Sequence, residues 1–390
     1  MPAELLAPAG DMQKLEWAVE YGADAVYFGL KNYSLRSYAG NFSPEEAARA
    51  LQYLHEKGRK GYVTLNIYPF TGEYAPLLEQ AAMLRDMGAD AFIVADFGLI
   101  CALKKAGIET PVHVSTQANT VSAQAALAYA DMGCARVNLA RELSFEQILE
   151  IKEKTQGKIE LEVFIHGSVC FSYSGRCAIS DYLTGRRANR GECAQPCRWS
   201  YCLMEEKRPG SPMPVFEDER GLYLFNSRDL ALWRYARRLS DAGIASLKIE
   251  GRMKTIHYVA SVLYVYRRLL DGCAMGEEEI TALLSRISNR GYTEGFMKGG
   301  VGPEDYKAES SSYLFTSVLL GHTGPDGMLQ VNNSFEGGET AELLTPSCVK
   351  AVVLPPVFRD ADGNALTKVN NDHRIYTDFP PYSVLRRVTG

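Results

Sequence analysis

Along the first 250 residues, stretches with apolar residues at helical spacing end at a glycine, a few small residues follow, and a short apolar run begins. Gly22-Ala23-Asp24-Ala25-Val26-Tyr27-Phe28-Gly29 is the first clear copy, residues 88–96 repeat it, and residues 133–140 and 243–250 are looser versions. Each glycine stands where a helix C-cap needs a left-handed backbone, and each apolar run is short enough for a buried strand. Further strands are predicted at 4–7, 61–67, 111–115 and 159–165, which brings the number to eight. Helices are predicted at 12–21, 44–57 with Ser43 as N-cap, 74–87, 99–106, 122–132, 144–155, 229–242 and 256–270. Eight alternating units spell an α/β chain folded as a TIM (β/α)8 barrel, with a doubly wound open sheet as the alternative.

From about Tyr313 the pattern changes to short alternating runs at 314–320, 328–332, 340–344, 349–354 and 382–388. Gly324-Pro325-Asp326-Gly327 and Glu336-Gly337-Gly338-Glu339 are strong turn signals between them. The expected organisation is a barrel domain over residues 1–300, carrying a cysteine-rich loop at 167–202, and a small antiparallel β-barrel over 301–390. Such small barrels bind RNA or proteins, or serve only as packing modules.

In a TIM barrel the reactive face is the C-terminal end of the strands. The residues just past each predicted strand are polar: Asn66, Asp96, Ser115-Thr116-Gln117, Asn138, Arg141-Glu142, His166 and Lys248-Ile249-Glu250-Gly251-Arg252. Any one of them has a bland reading as a helix cap, because βα loops need caps whatever the protein does. The set as a whole is harder to dismiss.

After the seventh predicted strand the chain does not turn promptly into a helix. Cys170, Cys177, Cys193 and Cys197 follow with the spacing C-x6-C-x15-C-x3-C, threaded with glycines. Zinc knuckles pair cysteines at shorter spacing, which only the last pair approaches, so irregular all-thiolate ligation suits a 4Fe–4S cluster better; the same four thiols could also hold zinc tetrahedrally. Cys202 is a possible fifth ligand or a packed thiol, whereas Cys101, Cys134, Cys273 and Cys348 stand alone and read as small buried hydrophobes.

Composition narrows the classes further. With 46% hydrophobic and 23% charged residues the chain has the makeup of a globular protein, not of a disordered or collagenous one. Residues 1–8 lack a basic segment followed by an apolar one, and no run approaches the roughly 20 apolar residues of a membrane span, so the expected location is the cytoplasm, with no membrane partner. Nine cysteines in a reducing compartment argue for metal binding or burial over disulfides. A net charge of −5 argues against a uniformly nucleic-acid-binding surface, yet Arg176, Arg186, Arg187, Arg190 and Arg198 gather around the cysteines as a candidate phosphate-binding patch. Arg234, Arg237, Arg238, Arg267 and Arg268 read as solvated helix faces.

Residues 162–180 match every fixed position of E-x-F-x-x-G-[SA]-x-C-x4-G-x-C-x-x-S, and so resemble the signature of the collagenase-like peptidase family. Leu6-Ala7-Pro8-Ala9-Gly10, Arg36 with Asn41-Phe42, Ser115-Thr116-Gln117, Ser227-Arg228-Asp229-Leu230 and residues 248–254 are further phrases similar to that family's. The tail resembles the C-terminal domain of the branch that hydroxylates tRNA. The resemblance implies a tRNA-modifying enzyme that installs the 5-hydroxyl of the wobble uridine without molecular oxygen, with prephenate as a required metabolite and a 4Fe–4S cluster as cofactor. It implies Cys170, Cys177 and Cys193 as ligands; the fourth is either the C-x3-C partner Cys197 or a later cysteine, and this chain has none in that later region. tRNA is the implied macromolecular partner, and a homologous partner subunit is compatible with the resemblance. Alternatives are a hydroxylase of ribosomal RNA or of a ubiquinone precursor, and a peptidase.

The residues weigh against a peptidase. His166 stands four residues before Cys170, but four grouped cysteines make a poor single nucleophile, and neither H-E-x-x-H nor G-x-S-x-G occurs. For the hydroxylase, Glu142, His166, Lys248 and Glu250 are the candidate acid–base or positioning groups. Arg36, Arg141 and Arg252 are candidate guanidinium forks for a carboxylate, with Asn41 and Gln117 as further substrate contacts.

Overall fold

The computed structural model describes residues 2–31, 41–169, 179–186, 192–198, 216–218, 221–223, 227–301, 305, 313–371 and 373–389. Seven parallel strands, β1 (Glu4–Pro8), β2 (Ala25–Gly29), β3 (Lys60–Leu65), β4 (Ala91–Val94), β5 (Val112–Val114), β6 (Arg136–Asn138) and β7 (Glu160–Gly167), each pair with the next. A hairpin follows, β8 (Phe216–Asp218) with β9 (Gly221–Tyr223), then β10 (Asp229–Ala231) and β11 (Ser246–Ile249). β11 pairs in parallel with both β7 and β1, so eight strands close a barrel and the open-sheet alternative falls.

The predicted punctuation is what folds the units. Gly22, Gly88, Gly133 and Gly243 all take positive φ, between 79° and 89°, just past helices α1 (Met12–Glu20), α3 (Tyr74–Asp86), α5 (Ala123–Asp131) and α8 (Trp233–Asp241). Ser43 caps α2 (Pro44–Glu56) through a reciprocal capping box with Glu46. Asp96, counted above among the polar residues of the mouth, is the N-cap of α4 (Phe97–Lys105), accepting from the Leu99 N–H; there the bland reading holds. α6 (Phe145–Thr155), the short α7 (Ile179–Thr184), α9 (Ile256–Leu270) and α10 (Glu277–Ser285) complete the helices among the described residues.

One predicted element is wrong in kind. The helix expected from Asp229 begins only at Trp233, because Asp229–Ala231 is β10, which runs antiparallel to the end of β7 and parallel to β12 (Tyr292–Thr293). The apolar run Leu230-Ala231-Leu232 is buried like a strand, and helical periodicity starts after it.

The C-terminal residues form an antiparallel sheet in the order β17-β16-β22-β13-β14-β21-β18-β19, with a separate pair β15–β20. These are β13 (Ser317–Thr323), β14 (Leu329–Val331), β15 (Phe335–Glu336), β16 (Thr340–Leu344), β17 (Val349–Val353), β18 (Phe358–Asp360), β19 (Ala365–Leu366), β20 (Lys368–Val369), β21 (Arg374–Tyr376) and β22 (Val384–Val388). The described pairings leave β17 and β19 as edges, so the expected small barrel is a half-barrel. It packs on α1 and α9: Tyr21 Oη donates to the Tyr382 carbonyl at 2.8 Å, and the fully buried Arg386 reaches Glu342, Ser261 and His257. Among the described residues no helix is long and apolar enough to cross a membrane.

Candidate functional site at the barrel mouth

Strand pleating decides which side chains meet inside the barrel. Leu5, Val26, Val63, Phe92, Val137, Leu161 and Leu247 point outward into the helix-packed core, so their neighbours Leu6, Ala25, Tyr27, Tyr62, Ala91 and Ile93 form a separate cluster within. The inward positions of β1, β6, β7 and β11 are charged. Arg136 Nη1 lies 2.6 Å from Glu4 and 3.4 Å from Glu162, and Lys248 Nζ lies 3.0 Å from Glu162. Burial alone would raise the Glu162 carboxyl, but Lys248 and Arg136 outweigh it and bring it down to about 2. Lys248, expected to act at the mouth, thus sits in the middle of the barrel, its Nζ 4.4 Å from the centre of the Tyr27 ring. Glu162, the first fixed residue of the 162–180 signature, is its counter-ion. A carboxylate in the middle of an apolar strand run was the signal for it.

Above this layer three sequence phrases converge. A Cβ on Gly10 would come within 2.2 Å of the Arg252 carbonyl, one on Gly167 within 2.5 Å of the Glu250 carbonyl, and one on Gly251 within 2.7 Å of the Tyr258 ring. Gly10 and Gly167 are therefore needed where two backbones touch, and Gly251 where the Tyr258 ring presses on the chain. Arg252 is buried, with Nη1 donating to Thr64 Oγ1 at 3.2 Å. Glu250 accepts from Tyr27 Oη at 3.1 Å, and its carbonyl accepts from Tyr258 Oη.

His166 is enclosed by the rings of Tyr258, Tyr266 and Tyr292, with Nδ1 3.3 Å from Tyr266 Oη. Burial holds its pKa down to about 3, against a smaller upward pull from Asp229. At neutral pH it is an uncharged imidazole, which removes the imidazolium that a Cys–His peptidase pair requires. Arg141 stacks 4.1 Å from the centre of the Phe164 ring, and burial raises the carboxyl of its neighbour Glu142. On the β5–α5 side, Ser115 caps a short 3-10 turn, Thr116–Ala118; the Gln117 carbonyl accepts from Tyr68 Oη, while Gln117 Oε1 is buried without a partner among the described residues. Asn41 is buried beside Phe42, with a left-handed backbone at φ 47°. Asn41, Gln117, Arg141, Glu142, His166, Glu250 and Arg252 thus lie at or just past the C-terminal ends of different barrel strands, each in its own set of contacts.

Of the cysteine loop, Cys193 and Cys197 are described and half-buried; Cys170 and Cys177, with Cys202, lie outside the described residues, as do Arg36, Arg176, Arg187, Arg190 and the side chain of Arg198. Gln195, at φ 58°, donates its N–H to Cys193 Sγ at 3.4 Å, the kind of bond that a metal-bound thiolate accepts. The described part of the donor set therefore fits a cluster ligand. Arg186 Nε donates to the Glu192 carbonyl at 3.0 Å, so this arginine braces the loop that the sequence reading had it help present to RNA. Of the four lone cysteines only Cys134 is fully buried, its thiol pushed up to about 11 by burial; Cys273 is exposed, a correction to the expectation, because it follows the end of α9. Of the helix arginines, Arg234 is on an exposed face as expected and pairs with Glu277 and Glu294, whereas Arg267 is largely covered and pairs with Asp24 and Asp271.

Fold and mouth together define a (β/α)8-barrel protein with its polar chemistry gathered at the C-terminal ends of the strands. The profile of peptidase family U32 matches residues 10–307, and the chain belongs to that family. It is 38% identical to tRNA hydroxylation protein P1 of Bacillus subtilis, over 93% of this chain and 88% of that one. It is 36% identical to tRNA hydroxylation protein P of Escherichia coli, over 88% and 86%. The 23S rRNA 5-hydroxycytidine C2501 synthase of Escherichia coli is 38% identical over 75% of this chain and 42% of its own length.

Proposed function

We propose that this protein hydroxylates tRNA, at C5 of the wobble uridine, using prephenate and a 4Fe–4S cluster held by Cys170, Cys177, Cys193 and Cys197. The observation that carries the reading is the reach of the similarity. The family profile ends at residue 307, whereas the Bacillus subtilis and Escherichia coli relatives named for tRNA hydroxylation align over 93% and 88% of the chain, so those two alignments run on into the C-terminal half-barrel. The relative named for 5-hydroxycytidine supports a pyrimidine 5-position as the target.

When bound, the cluster would supply redox or Lewis-acid chemistry at the mouth. The chain's own residues do the rest. Arg252 and Arg141 offer guanidinium forks to a carboxylate such as prephenate, Arg252 from a buried position and Arg141 stacked on Phe164. Glu142, its carboxyl raised from the ordinary carboxylate range by burial, is the candidate proton-holding group of this mouth. His166 and Glu250 position the strand ends through Tyr266, Tyr27 and Tyr258.

The test is anaerobic purification with iron, sulfide, zinc and visible-spectrum analysis, on the wild type and on each of the four cysteines changed to alanine, followed by tRNA nucleoside analysis of a deletion strain. About four irons with matching sulfide, lost in the variants, and absence of the hydroxylated uridine in the strain are expected. Stoichiometric zinc, no metal at all, or unaltered tRNA would sink the reading.

A further inference from the structure

Neither packing nor ion pairing explains Asn138. The pleat of β6 sends Val137 out to the helices and Arg136 into the barrel, so Asn138, two residues on from Arg136, faces inward one layer nearer the mouth. It is only 2% exposed, yet neither its Oδ1 nor its Nδ2 has a hydrogen-bond partner among the described residues. A buried amide with both ends unsatisfied costs stability, and such groups are rare unless something outside the fold completes them.

Next to it runs the β5–α5 loop, tied to the β6 end by two bonds: Thr116 Oγ1 donates to the Leu139 carbonyl, and the Ala140 N–H donates to the Thr120 carbonyl. On that loop Gln117 Oε1, Asn119 Oδ1 and Thr120 Oγ1 are also buried without partners. Two adjacent strand ends thus hold five side-chain atoms, from four residues, that are shielded from water and satisfied by nothing among the described residues.

We propose that Asn138 reads the base. Its Oδ1 accepts from N3–H of a pyrimidine flipped into the barrel mouth while its Nδ2 donates to an adjacent ring carbonyl. This deepens, and rests on, the RNA-hydroxylation reading above. A carboxamide is the side chain that offers one donor and one acceptor side by side, which is how Asn and Gln recognise base edges elsewhere. An enzyme acting on a ring carbon must take the base out of its stack, and a flipped base is held by hydrogen bonds to its pairing edge. Held by N3 and a carbonyl, the ring leaves C5–H unengaged. Turned over, the same amide matches cytosine, so Asn138 recognises a pyrimidine edge and leaves the choice between uracil and cytosine to its neighbours.

The experiment expresses Asn138→Leu and Asn138→Thr in a deletion strain, quantifies hydroxylated wobble uridine in its tRNA, and records the thermal midpoint of each purified variant. Leucine is close to asparagine in size and removes both orphaned atoms, so the midpoint should hold or rise while modification falls at least about tenfold. Threonine, a strand-favouring residue with one hydroxyl, should give an intermediate level at wild-type stability, and it carries the test if the leucine variant folds poorly. Full modification in either variant, or a loss of modification that only tracks a lowered midpoint, overturns the role of Asn138 while leaving tRNA hydroxylation standing. Failure of the wild-type gene to restore the modification overturns both.

Discussion

The interior of the barrel and the interior of the C-terminal half-barrel are built on opposite plans. Inside the C-terminal sheet an apolar cluster fills the space, with Leu320, Leu329, Val331, Phe335, Leu343, Phe358, Ile375 and Leu385 among its members, while its buried arginine, Arg386, is turned toward α9. Inside the (β/α)8 barrel, Glu4, Arg136, Glu162, Lys248, His113 and Asn138 share the space with a few apolar residues. Replacing a buried ion pair by packed hydrophobes is often neutral or stabilising, so folding alone gives no reason to keep so many polar groups in one barrel. The C-terminal core exists to pack. The barrel interior carries an electrostatic load that makes sense if it holds something at its mouth.

The largest way to expose that contrast is acid. His113, His166 and His257 are buried, and burial holds each imidazole down to about 3. Below about pH 6.5 the unfolded chain takes up protons there that the folded chain does not, so stability falls as pH falls from about 6.5 toward 3, by up to about 4 kcal/mol per pH unit for three such groups. Glu162, depressed to about 2, adds a further loss between about pH 4.5 and 2 as its ion pairs are neutralised. Thermal midpoints recorded from pH 7.5 to 5 should drop steeply, and a flat profile would refute the neutral buried imidazoles. Next comes Arg136→Met, which leaves Glu4 and Glu162 without their shared guanidinium and should cost about 3–5 kcal/mol by denaturant titration. Glu162→Leu with Lys248→Met removes both partners of one pair and should cost far less; an equal cost would mean that the pair stabilises in its own right.

In the apolar interior, Leu385→Ala should lose about 2–5 kcal/mol and lower tRNA modification only as far as folded protein is lost. Arg141→Lys belongs to the mouth: it should leave stability nearly unchanged, because Arg141 is only partly buried, but reduce modification, since a lysine cannot make the planar fork and stack on Phe164 in the same way. Unchanged modification in cells would remove Arg141 from the site. The smallest expected effect is Ser43→Ala, which breaks the α2 capping box at about 1 kcal/mol and should leave the mouth unaffected.

Much of this was legible in the chain. The strand–helix repeats and their terminal glycines predicted the barrel, because left-handed C-caps and buried apolar strands are local demands that a sequence must meet locally. The polar residues past the strands marked the mouth for a related reason: the C-terminal strand ends are the one place where a TIM barrel can present them. Asp229 was misread because a strand of three residues and the first turn of a helix look alike in an apolar run, and the pairing with β7 that decides between them is not local.

Periodicity also could not separate Lys248, locked to Glu162 at the barrel centre, from Arg252, buried at the mouth beside Thr64. Nor could it pick out Asn138 from the other polar strand ends, since an amide counts as orphaned only once every neighbour is in place. The strand–helix alternation of the barrel, the family signature and the pool of residues eligible for chemistry are written in the chain. Which of those residues pair with each other and which face the mouth depends on folding, because hydrogen-bond partners and desolvation are set by strands far apart in the chain.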